Sequence, residues 1–255
     1  MIRVVVAGAL GKMGIPVCGA VVADPELRLT GAVDASAVGA GVHGLEVLEG
    51  IDLLEADSVD VLVDFTNAEA AVANITWALD NGVHAVVGTT GMSVDELGEI
   101  AARSDSGDSN VIVVPNFALG AVLMMKFAEM AAKVFDECEI IELHHRGKLD
   151  APSGTAIATA MRVAEVMKDT PVPTVHEKGV QGARGGGIGP VNIHSVRLDG
   201  LVAHQEVLFG SQGQTLSIRH DTTDRSCFMP GVVMAIKAVG SLPGLTVGLE
   251  EALSI

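Results

Sequence analysis

The 255-residue sequence predicts an α/β protein with a doubly wound parallel sheet and a smaller α+β domain that contains a mixed sheet. Strand and helix patterns alternate through the first half of the chain, as they do in proteins with parallel sheets. A glycine-rich turn separates the first strand pattern from the first helix pattern. In the second half, three strand patterns follow one another without helices between them, which indicates an antiparallel or mixed sheet.

The first half consists of short apolar runs separated by turns and helical patterns. The run at 2–7 is rich in valine and isoleucine, which is typical of a strand buried on both faces of a parallel sheet. Ser93 is a predicted helix N-cap because Glu96 follows it at the capping-box spacing. The predicted strands are 2–7, 27–33, 59–64, 83–87 and 111–114, and the predicted helices are 11–22, 68–79 and one that opens at Ser93.

The second half begins with a long helical pattern and ends with another. The segment 170–190 is rich in proline and glycine and is predicted to be a loop. The change of pattern near Asn116 is the predicted domain boundary. The predicted helices are 119–134, 153–167 and 230–239, and the predicted strands are 139–144, 191–198, 203–209 and 215–220.

Composition and charge exclude several classes of protein. Lys and Arg number 16 against 32 Asp and Glu, and the net charge of −16 argues against nucleic acid or an anionic membrane as main partner. Aromatic residues make up only 3%, so a base-stacking surface is not expected. The N-terminal residues do not match a secretory leader, and no apolar run reaches about 18 residues, so no membrane span is expected. Three distant cysteines without zinc-site spacing predict a reduced, cytoplasmic protein with no metal site.

A glycine-rich turn follows the first strand and opens the first helix, with Gly8, Gly11 and Gly14 at regular spacing. Glycines at this place let the backbone turn tightly and approach a pyrophosphate, which also meets the N–H groups at the start of the helix. Asp34 lies at the end of the second strand, where a carboxylate accepts hydrogen bonds from an adenosine ribose. The pattern predicts a Rossmann-like dinucleotide site, with an ordinary structural turn as the alternative.

The residues around Asp34 predict NADH as the favoured cofactor, with NADPH tolerated. The carboxylate of Asp34 disfavours a 2′-phosphate on the ribose, and Ala35 provides no arginine to bind one, although Lys12 partly compensates.

Two further turns, 88–91 and 116–117, follow later strands at the sheet edge where doubly wound proteins bind ligands. Taken alone, each is equally compatible with an ordinary turn.

The densest basic cluster is the segment 144–148, with the sequence His-His-Arg-Gly-Lys. The segment 153–155 is predicted to begin a helix whose N–H groups can hold a carboxylate. Lys148 supplies positive charge and histidine titrates near neutral pH, so the cluster predicts anion binding with proton donation. Strand alternation predicts that His144 and His145 point to different sides. The alternatives are structural histidines, or a metal site that lacks a third ligand at suitable spacing.

These segments together resemble the dihydrodipicolinate reductase family, whose members are also called 4-hydroxy-tetrahydrodipicolinate reductases. The resemblance covers nearly the whole chain, and its most specific part runs from His144 to Thr155. The matching segments are 8–14, 63–66, 87–91, 115–117, 142–148, 150–156 and 200–210.

The resemblance implies an oxidoreductase of diaminopimelate and lysine biosynthesis that reduces 4-hydroxy-tetrahydrodipicolinate to tetrahydrodipicolinate with NADH or NADPH. It implies a dinucleotide-binding domain of residues 1–116 plus 228–255. A substrate-binding and tetramerisation domain of residues 117–227 is inserted between these two parts, so that a homotetramer and hinge closure between the domains are expected.

The resemblance also implies roles for individual residues. His144 is the expected acid/base residue, and Lys148 is the expected proton donor to a small dicarboxylate substrate. The expected substrate-binding residues are His145, Lys148, Ser153, Gly154 and Thr155. The expected cofactor-binding residues are Gly8, Ala9, Leu10, Gly11, Lys12, Met13, Asp34, Gly88, Thr89, Thr90, Val114, Pro115, Asn116 and Phe117.

Two positions depart from the family pattern, and two other functions stay open. Gly147 stands where many members carry histidine or asparagine, and Ala35 replaces an arginine that some members use, which leaves the choice between NADH and NADPH open. One alternative is a Rossmann oxidoreductase of a neutral sugar or polyol, which has no use for a cationic cluster. The other is a non-catalytic NAD-binding sensor, which does not need Lys148 or His144.

Overall fold

A computed structural model describes residues 1–36, 39–171 and 180–255 of the chain. The chain divides into two compact units. The first unit contains Met1–Leu119 and Arg225–Ile255, and the second contains Gly120–Asp224. The first unit is therefore built from both ends of the sequence.

The first unit is built on a mostly parallel sheet. Its strands are β1 (Ile2–Ala7), β2 (Leu27–Val33), β3 (Gly41–Val42), β4 (Leu45–Leu48), β5 (Val61–Asp64), β6 (His84–Val87), β7 (Val111–Val113) and β13 (Leu245–Val247). Within the described residues these strands form an eight-stranded sheet in the order β13-β7-β6-β5-β1-β2-β4-β3. The neighbouring pairs are parallel except β3 with β4, which is antiparallel.

The described residues of the first unit also form α-helices, most of which pack against the sheet. They are α1 (Gly14–Ala23), α2 (Ala68–Asp80), α3 (Val94–Asp105), α6 (Met229–Ala238) and α7 (Glu250–Leu253). Val5 of β1 and Leu62 of β5 are fully buried and share a core cluster with Ile75 of α2. The continuous apolar strands follow from this arrangement, because a strand in the middle of a parallel sheet has no solvent-facing side.

The order in which the chain adds strands to the sheet reverses at β1. Strand β2 lies on one side of β1, and β5, β6 and β7 follow in order on its other side. In such a sheet the connections that leave β1 on opposite sides open a crevice at the carboxyl ends of the strands. The glycine turn, Asp34 and the segment after β5 all lie at this edge.

The second unit combines helices with a mixed sheet. Its helices are α4 (Leu119–Ala131, whose first residue belongs to the first unit) and α5 (Gly154–Val166), and its strands are β8 (Glu137–His144), β9 (Gly186–Ile188), β10 (Val191–Arg197), β11 (Ala203–Ser211) and β12 (Gln214–Thr222). In the described part of the chain they form a five-stranded sheet in the order β12-β11-β8-β10-β9. Strands β8 and β10 are parallel, and the other pairs are antiparallel. The predicted fold class is confirmed.

One face of the second sheet is covered and the other is more open. Cys138, Ile140 and Glu142 of β8 are buried, whereas Glu139 and Ile141 between them are partly exposed. The period of two follows from strand geometry. Two of the three buried residues are apolar and belong to the core cluster of this unit, and the third is a carboxylate.

Some elements differ from the sequence-based expectation. Helix α1 begins at Gly14 instead of residue 11, because Gly11 N–H donates to Gly8 O in a tight turn. The predicted loop 170–190 contains strand β9, which pairs with β10, and its residues 172–179 lie outside the described residues. Strands β3, β4 and β13 were not predicted, because runs of two to four residues carry no periodic pattern.

The predicted capping box at Ser93 is confirmed, and its removal should destabilise the protein by about 1 kcal/mol. Ser93 Oγ accepts the Glu96 N–H at 3.2 Å, and the Ser93 N–H donates to Glu96 Oε2 at 2.6 Å. We expect Ser93→Ala to lower the free energy of unfolding in urea by this amount. The control is Ser106→Ala at the other end of α3, with an expected change below about 0.5 kcal/mol. Equal losses in the two variants would contradict the assignment.

Candidate active site

The glycine turn of the first unit is closed by its own backbone. Gly8 N–H donates to Val33 O at 2.8 Å, which ties the turn to the end of β2. Gly8 has a φ of +75°, and a Cβ there would lie 2.5 Å from Phe65 O. A Cβ at Gly14 would lie 2.0 Å from Gly8 O. Only glycine fits either position, so the turn keeps its backbone accessible at the start of α1.

Asp34 binds the glycine turn directly. Its Oδ2 accepts the Leu10 N–H at 3.0 Å, and its Oδ1 accepts the N–H and hydroxyl of Ser36 at 3.0 and 2.6 Å. Burial tends to raise the pKa of Asp34, but the hydrogen bonds from Ser36 and Leu10 outweigh burial and hold that pKa below its ordinary value. Asp34 is therefore ionised at neutral pH.

A cleft of about 390 Å³ opens between the glycine turn and the segments after β2 and β5. Its volume lies within the usual range of about 300–1,000 Å³ for sites that hold small molecules. Its lining includes Gly8, Gly11, Asp34, Phe65 and Asn74. A backbone cradle that a Cβ would fill, beside an ionised strand-end carboxylate, fits the pyrophosphate and ribose of a dinucleotide.

Asp64, which the sequence analysis did not select as a site residue, organises the same sheet edge. It is fully buried, and its carboxylate accepts hydrogen bonds from Thr66 Oγ1 at 2.8 Å, Asn74 Nδ2 at 2.7 Å and Thr89 Oγ1 at 2.7 Å. Asp64 thereby fixes the turns after β5 and β6. The available signal was an acidic residue at the end of an apolar strand.

The remaining expected cofactor residues lie along this edge but do not line the cleft. Phe65 and Phe117 have ring centroids 5.5 Å apart, and a Cβ at Gly88 would lie 2.1 Å from Phe65 Cε1. Gly88 is thus required by the packing of the Phe65 ring. Among the expected residues, Ala9, Val114 and Phe117 are buried, whereas Lys12, Thr90 and Pro115 are exposed.

In the second unit, a buried carboxylate organises the basic cluster. Glu142 is fully buried, and its Oε2 accepts a hydrogen bond from His144 Nδ1 at 2.5 Å. Arg197 of β10 binds both carboxylate oxygens of Glu142, with each N–O distance 2.8 Å. The Ser153 N–H, just before α5, donates to Glu142 Oε1 at 3.3 Å. One carboxylate therefore joins two strands and a helix start.

Both ionisable groups of this pair have shifted pKa values. Burial tends to raise the pKa of Glu142, but hydrogen bonds from Arg197, Ser195 and His144 outweigh burial, so the pKa is lowered. Burial lowers the pKa of His144 and outweighs the opposite effect of the Glu142 carboxylate. At neutral pH the pair therefore consists of an ionised Glu142 and a neutral His144.

Lys148 and its neighbours complete the cluster. Lys148 Nζ lies 2.8 Å from Asp150 Oδ2, and the lysine side chain is 23% exposed. That hydrogen bond is the main reason that the pKa of Asp150 is lowered. His145 is exposed and lies just after the end of β8, whereas His144 is the last residue of that strand and is partly buried. Arg146 is largely exposed and lies 3.6 Å from Asp199.

Helix α5 begins at the cluster, with Ser153 as its N-cap. Ser153 is buried, its Oγ accepts the Ala156 N–H at 3.2 Å, and its own N–H is bound to Glu142. The N–H and Oγ of Ser153 thus both help to fix the start of the helix. A Cβ at Gly154 would have no heavy atom within 4 Å, so space is open beside the first turn of the helix.

Arg197 was also not selected from the sequence. It lies 55 residues from Glu142 in the chain, and only the parallel pairing of β8 with β10 brings it beside that carboxylate. Glu142 shares its face of β8 with Ile140 and His144, since side chains alternate along a strand. Within the described ranges, no group of three or more His, Cys, Asp or Glu is arranged to hold a metal ion. No helix within those ranges is long and apolar enough to cross a membrane.

A dinucleotide cleft in one unit and a histidine–lysine cluster in the other place the chain in the class of nicotinamide-dependent oxidoreductases. The family model described as "Dihydrodipicolinate reductase, N-terminus" matches residues 2–117, and the model described as "Dihydrodipicolinate reductase, C-terminus" matches residues 120–253. The chain belongs to the dihydrodipicolinate reductase family, as the sequence motifs predicted.

Individual relatives agree over the full length of the chain. The 4-hydroxy-tetrahydrodipicolinate reductase of Syntrophomonas wolfei is 50% identical over 261 residues, with 98% of both chains covered. The protein of the same name from Mycolicibacterium smegmatis is 46% identical over 256 residues, with 99% of both covered. The solved structure of dipicolinate-bound dihydrodipicolinate reductase from Paenisporosarcina sp. TG-14 has a TM-score of 0.91 and 39% identity, covering 98% of this chain and 99% of that one.

The close approach at Gly8 predicts the effect of a single added methyl group. Gly8→Ala should weaken binding of NADH at least about tenfold, because the new Cβ displaces the turn or the Phe65 carbonyl. NADH fluorescence titration measures the dissociation constant, and circular dichroism checks that the variant is folded. The matched control is Gly98→Ala in α3, where a Cβ meets nothing within 4 Å. If folded Gly8→Ala binds NADH with unchanged affinity, the glycine turn is not part of the binding site.

Proposed function

We propose that the chain catalyses the NAD(P)H-dependent reduction of 4-hydroxy-tetrahydrodipicolinate to tetrahydrodipicolinate, in diaminopimelate and lysine biosynthesis. The observation that carries the proposal is the cluster around Glu142, where His144 and Lys148 lie next to the start of α5. Its composition suits a small dicarboxylate. Membership of the dihydrodipicolinate reductase family supports the same reaction.

The first unit is proposed to bind the cofactor. The backbone from Gly8 to Met13 holds the pyrophosphate at the start of α1, and Asp34 accepts a hydrogen bond from the adenosine ribose. The segments 88–90 and 114–117 line the path of the cofactor along the same sheet edge. When bound, a reduced nicotinamide supplies the hydride.

NADH is the proposed preferred cofactor, with NADPH also used. Asp34 is ionised and lines the cleft, so it repels a 2′-phosphate on the adenosine ribose. Ala35 also lines the cleft and adds no positive charge. Lys12 is exposed and offers partial compensation.

The second unit is proposed to bind the substrate through its carboxylates. Gly154 and Thr155 present backbone N–H groups at the first turn of α5, and the dipole of the helix favours an anion there. Lys148 and His145 add positive charge and hydrogen-bond donors. In a protein of net charge −16, this local concentration of donors determines where an anion binds.

Lys148 is the proposed proton donor, and His144 is the proposed acid/base partner. The 4-hydroxyl group of the substrate leaves as water before or together with the reduction. As hydride adds to the conjugated imine, negative charge develops on the acceptor and a proton must reach it. The ammonium group of Lys148 holds such a proton, and its positive charge stabilises the developing negative charge. His144 is neutral at pH 7 and is held by Glu142, so its ring has a fixed orientation.

We assign cofactor binding to a domain of residues 1–116 plus 228–255, and substrate binding and assembly to a domain of residues 117–227. The two compact units of the structure support this assignment. We propose a cytoplasmic homotetramer, on the strength of family membership.

The proposed reaction predicts oxidation of NADH or NADPH when the purified chain meets the cyclic imine. Lys148→Ala and His144→Ala should each lower the turnover number by roughly 10²–10⁴, the effect of losing a side chain that transfers a proton. The matched control is Lys133→Ala, an exposed lysine just after α4, which should keep wild-type turnover. The assay follows NADH absorbance.

Three outcomes separate the proposal from its rivals. Competitive inhibition by pyridine-2,6-dicarboxylate supports a dicarboxylate site, and its absence favours an oxidoreductase of neutral sugars or polyols. An unchanged absorbance with both cofactors favours a non-catalytic sensor. Near-normal turnover in both Lys148→Ala and His144→Ala would overturn the assigned roles.

The environment of Asp34 predicts a cofactor-switching substitution. Ala35→Arg should lower the ratio of kcat/KM for NADH to that for NADPH about tenfold, because a charge-assisted hydrogen bond to the 2′-phosphate is worth about 1.5–3 kcal/mol. Steady-state kinetics with each cofactor measures the ratio. Ala102→Arg adds the same charge at an exposed position of α3 and should leave the ratio unchanged. Equal ratios in the two variants would place the ribose elsewhere.

A further inference from the structure

The buried carboxylate of Glu142 has more hydrogen-bond donors than a structural ion pair requires. Its Oε1 accepts from Arg197 and from the Ser153 N–H, and its Oε2 accepts from Arg197 and from His144 Nδ1. These donors come from β8, β10 and the residue before α5. They leave the carboxylate little freedom to rotate, so its oxygens are fixed relative to His144.

An ionised carboxylate can only accept hydrogen bonds, and this fixes the proton on the His144 ring. The Nδ1 atom, 2.5 Å from Glu142 Oε2, must carry the hydrogen. In the neutral imidazole Nε2 then has the free lone pair. Among the described residues, Nε2 has no hydrogen-bond partner in the protein. The charged groups that face this ring are Glu142, Arg197 and Lys148.

We infer that Glu142 is a positioning residue that, clamped by Arg197, holds His144 in the Nδ1-protonated form and presents its Nε2 to the substrate. Glu142 itself is fully buried and acts only through His144. The inference deepens the proposed function and rests on it for the identity of the substrate. The state of the His144 ring can nevertheless be measured in the protein alone.

The opposite face of the same strand provides a matched control. Glu139 Oε2 lies 2.8 Å from His194 Nε2, and Glu139 Oε1 also accepts from Arg184. This second Glu–His–Arg group has the same chemical composition, but the Glu139 side chain is 34% exposed and lies on the other side of the sheet. Changing Glu139 therefore tests the effect of losing a carboxylate from β8 without touching His144.

The first measurement is ¹⁵N NMR of the histidine side chains at about pH 7.5, with His144 assigned by its loss in His144→Gln. The wild-type protein should show a protonated Nδ1 and an unprotonated Nε2 at His144. Glu139→Gln should leave both signals unchanged. A wild-type proton on Nε2, or a rapidly exchanging mixture of both forms, would overturn the inference without any reference to substrate.

The second measurement separates positioning from mere stabilisation. Glu142→Gln leaves Arg197 without its carboxylate and risks misfolding, so the decisive variant is Glu142→Leu combined with Arg197→Met. Replacing a buried ion pair on both sides by apolar residues is often neutral for stability. A folded double variant should show both His144 tautomers, and kcat should fall about 10- to 100-fold, as when a carboxylate that orients a histidine is lost.

The fall in kcat of the double variant is compared with its change in KM and with the kcat of the Glu139→Gln control. We expect KM for the cyclic imine to change less than about threefold, since Glu142 does not touch substrate. A folded double variant with wild-type kcat, or an equal loss of kcat in Glu139→Gln, would overturn the inference. If the wild-type chain does not oxidise NADH or NADPH with the imine, the proposed function fails. The NMR result still decides whether Glu142 determines the tautomer of the His144 ring.

Discussion

Neutralising the buried charge of Glu142 is the constraint on which the site in the second unit depends. Moving a carboxylate out of water costs several kcal/mol, and the cost is offset only when all its oxygens are well hydrogen-bonded. Arg197, His144 and the Ser153 N–H meet this requirement from three separate segments. The position of β10 beside β8 and the start of α5 are therefore linked to one charge.

The first unit also contains a buried carboxylate, which lies at the edge of its own sheet. Asp64 is fully buried at the end of β5 and accepts hydrogen bonds from the neutral side chains of Thr66, Asn74 and Thr89. These donors belong to the turns after β5 and β6 and to α2, so one carboxylate ties together three segments at this edge. Glu142 is instead held by a guanidinium group, whose planar fork binds both carboxylate oxygens at once.

Local sequence patterns predicted much of the fold and part of the site. The apolar period marked the main strands, and the glycine turn with Asp34 located the cleft, because both signals lie within a few residues or at a fixed spacing. Arg197 was not predicted as a site residue, because its partner Glu142 is 55 residues away and only strand register brings the two together. Short strands such as β9 were not predicted, because they are defined by pairing with a neighbouring strand and have no sequence pattern of their own.

The hydrogen bonds of Asp34 bear on how tightly a nucleotide can bind. Three donors from Leu10 and Ser36 already hold this carboxylate, which has about four acceptor positions in all. For the proposed contact with a ribose hydroxyl, Asp34 is therefore a rigid acceptor with room for one more donor. Because the side chain is preorganised, association loses little rotamer entropy at Asp34, and the geometry discriminates against sugars that present a different edge.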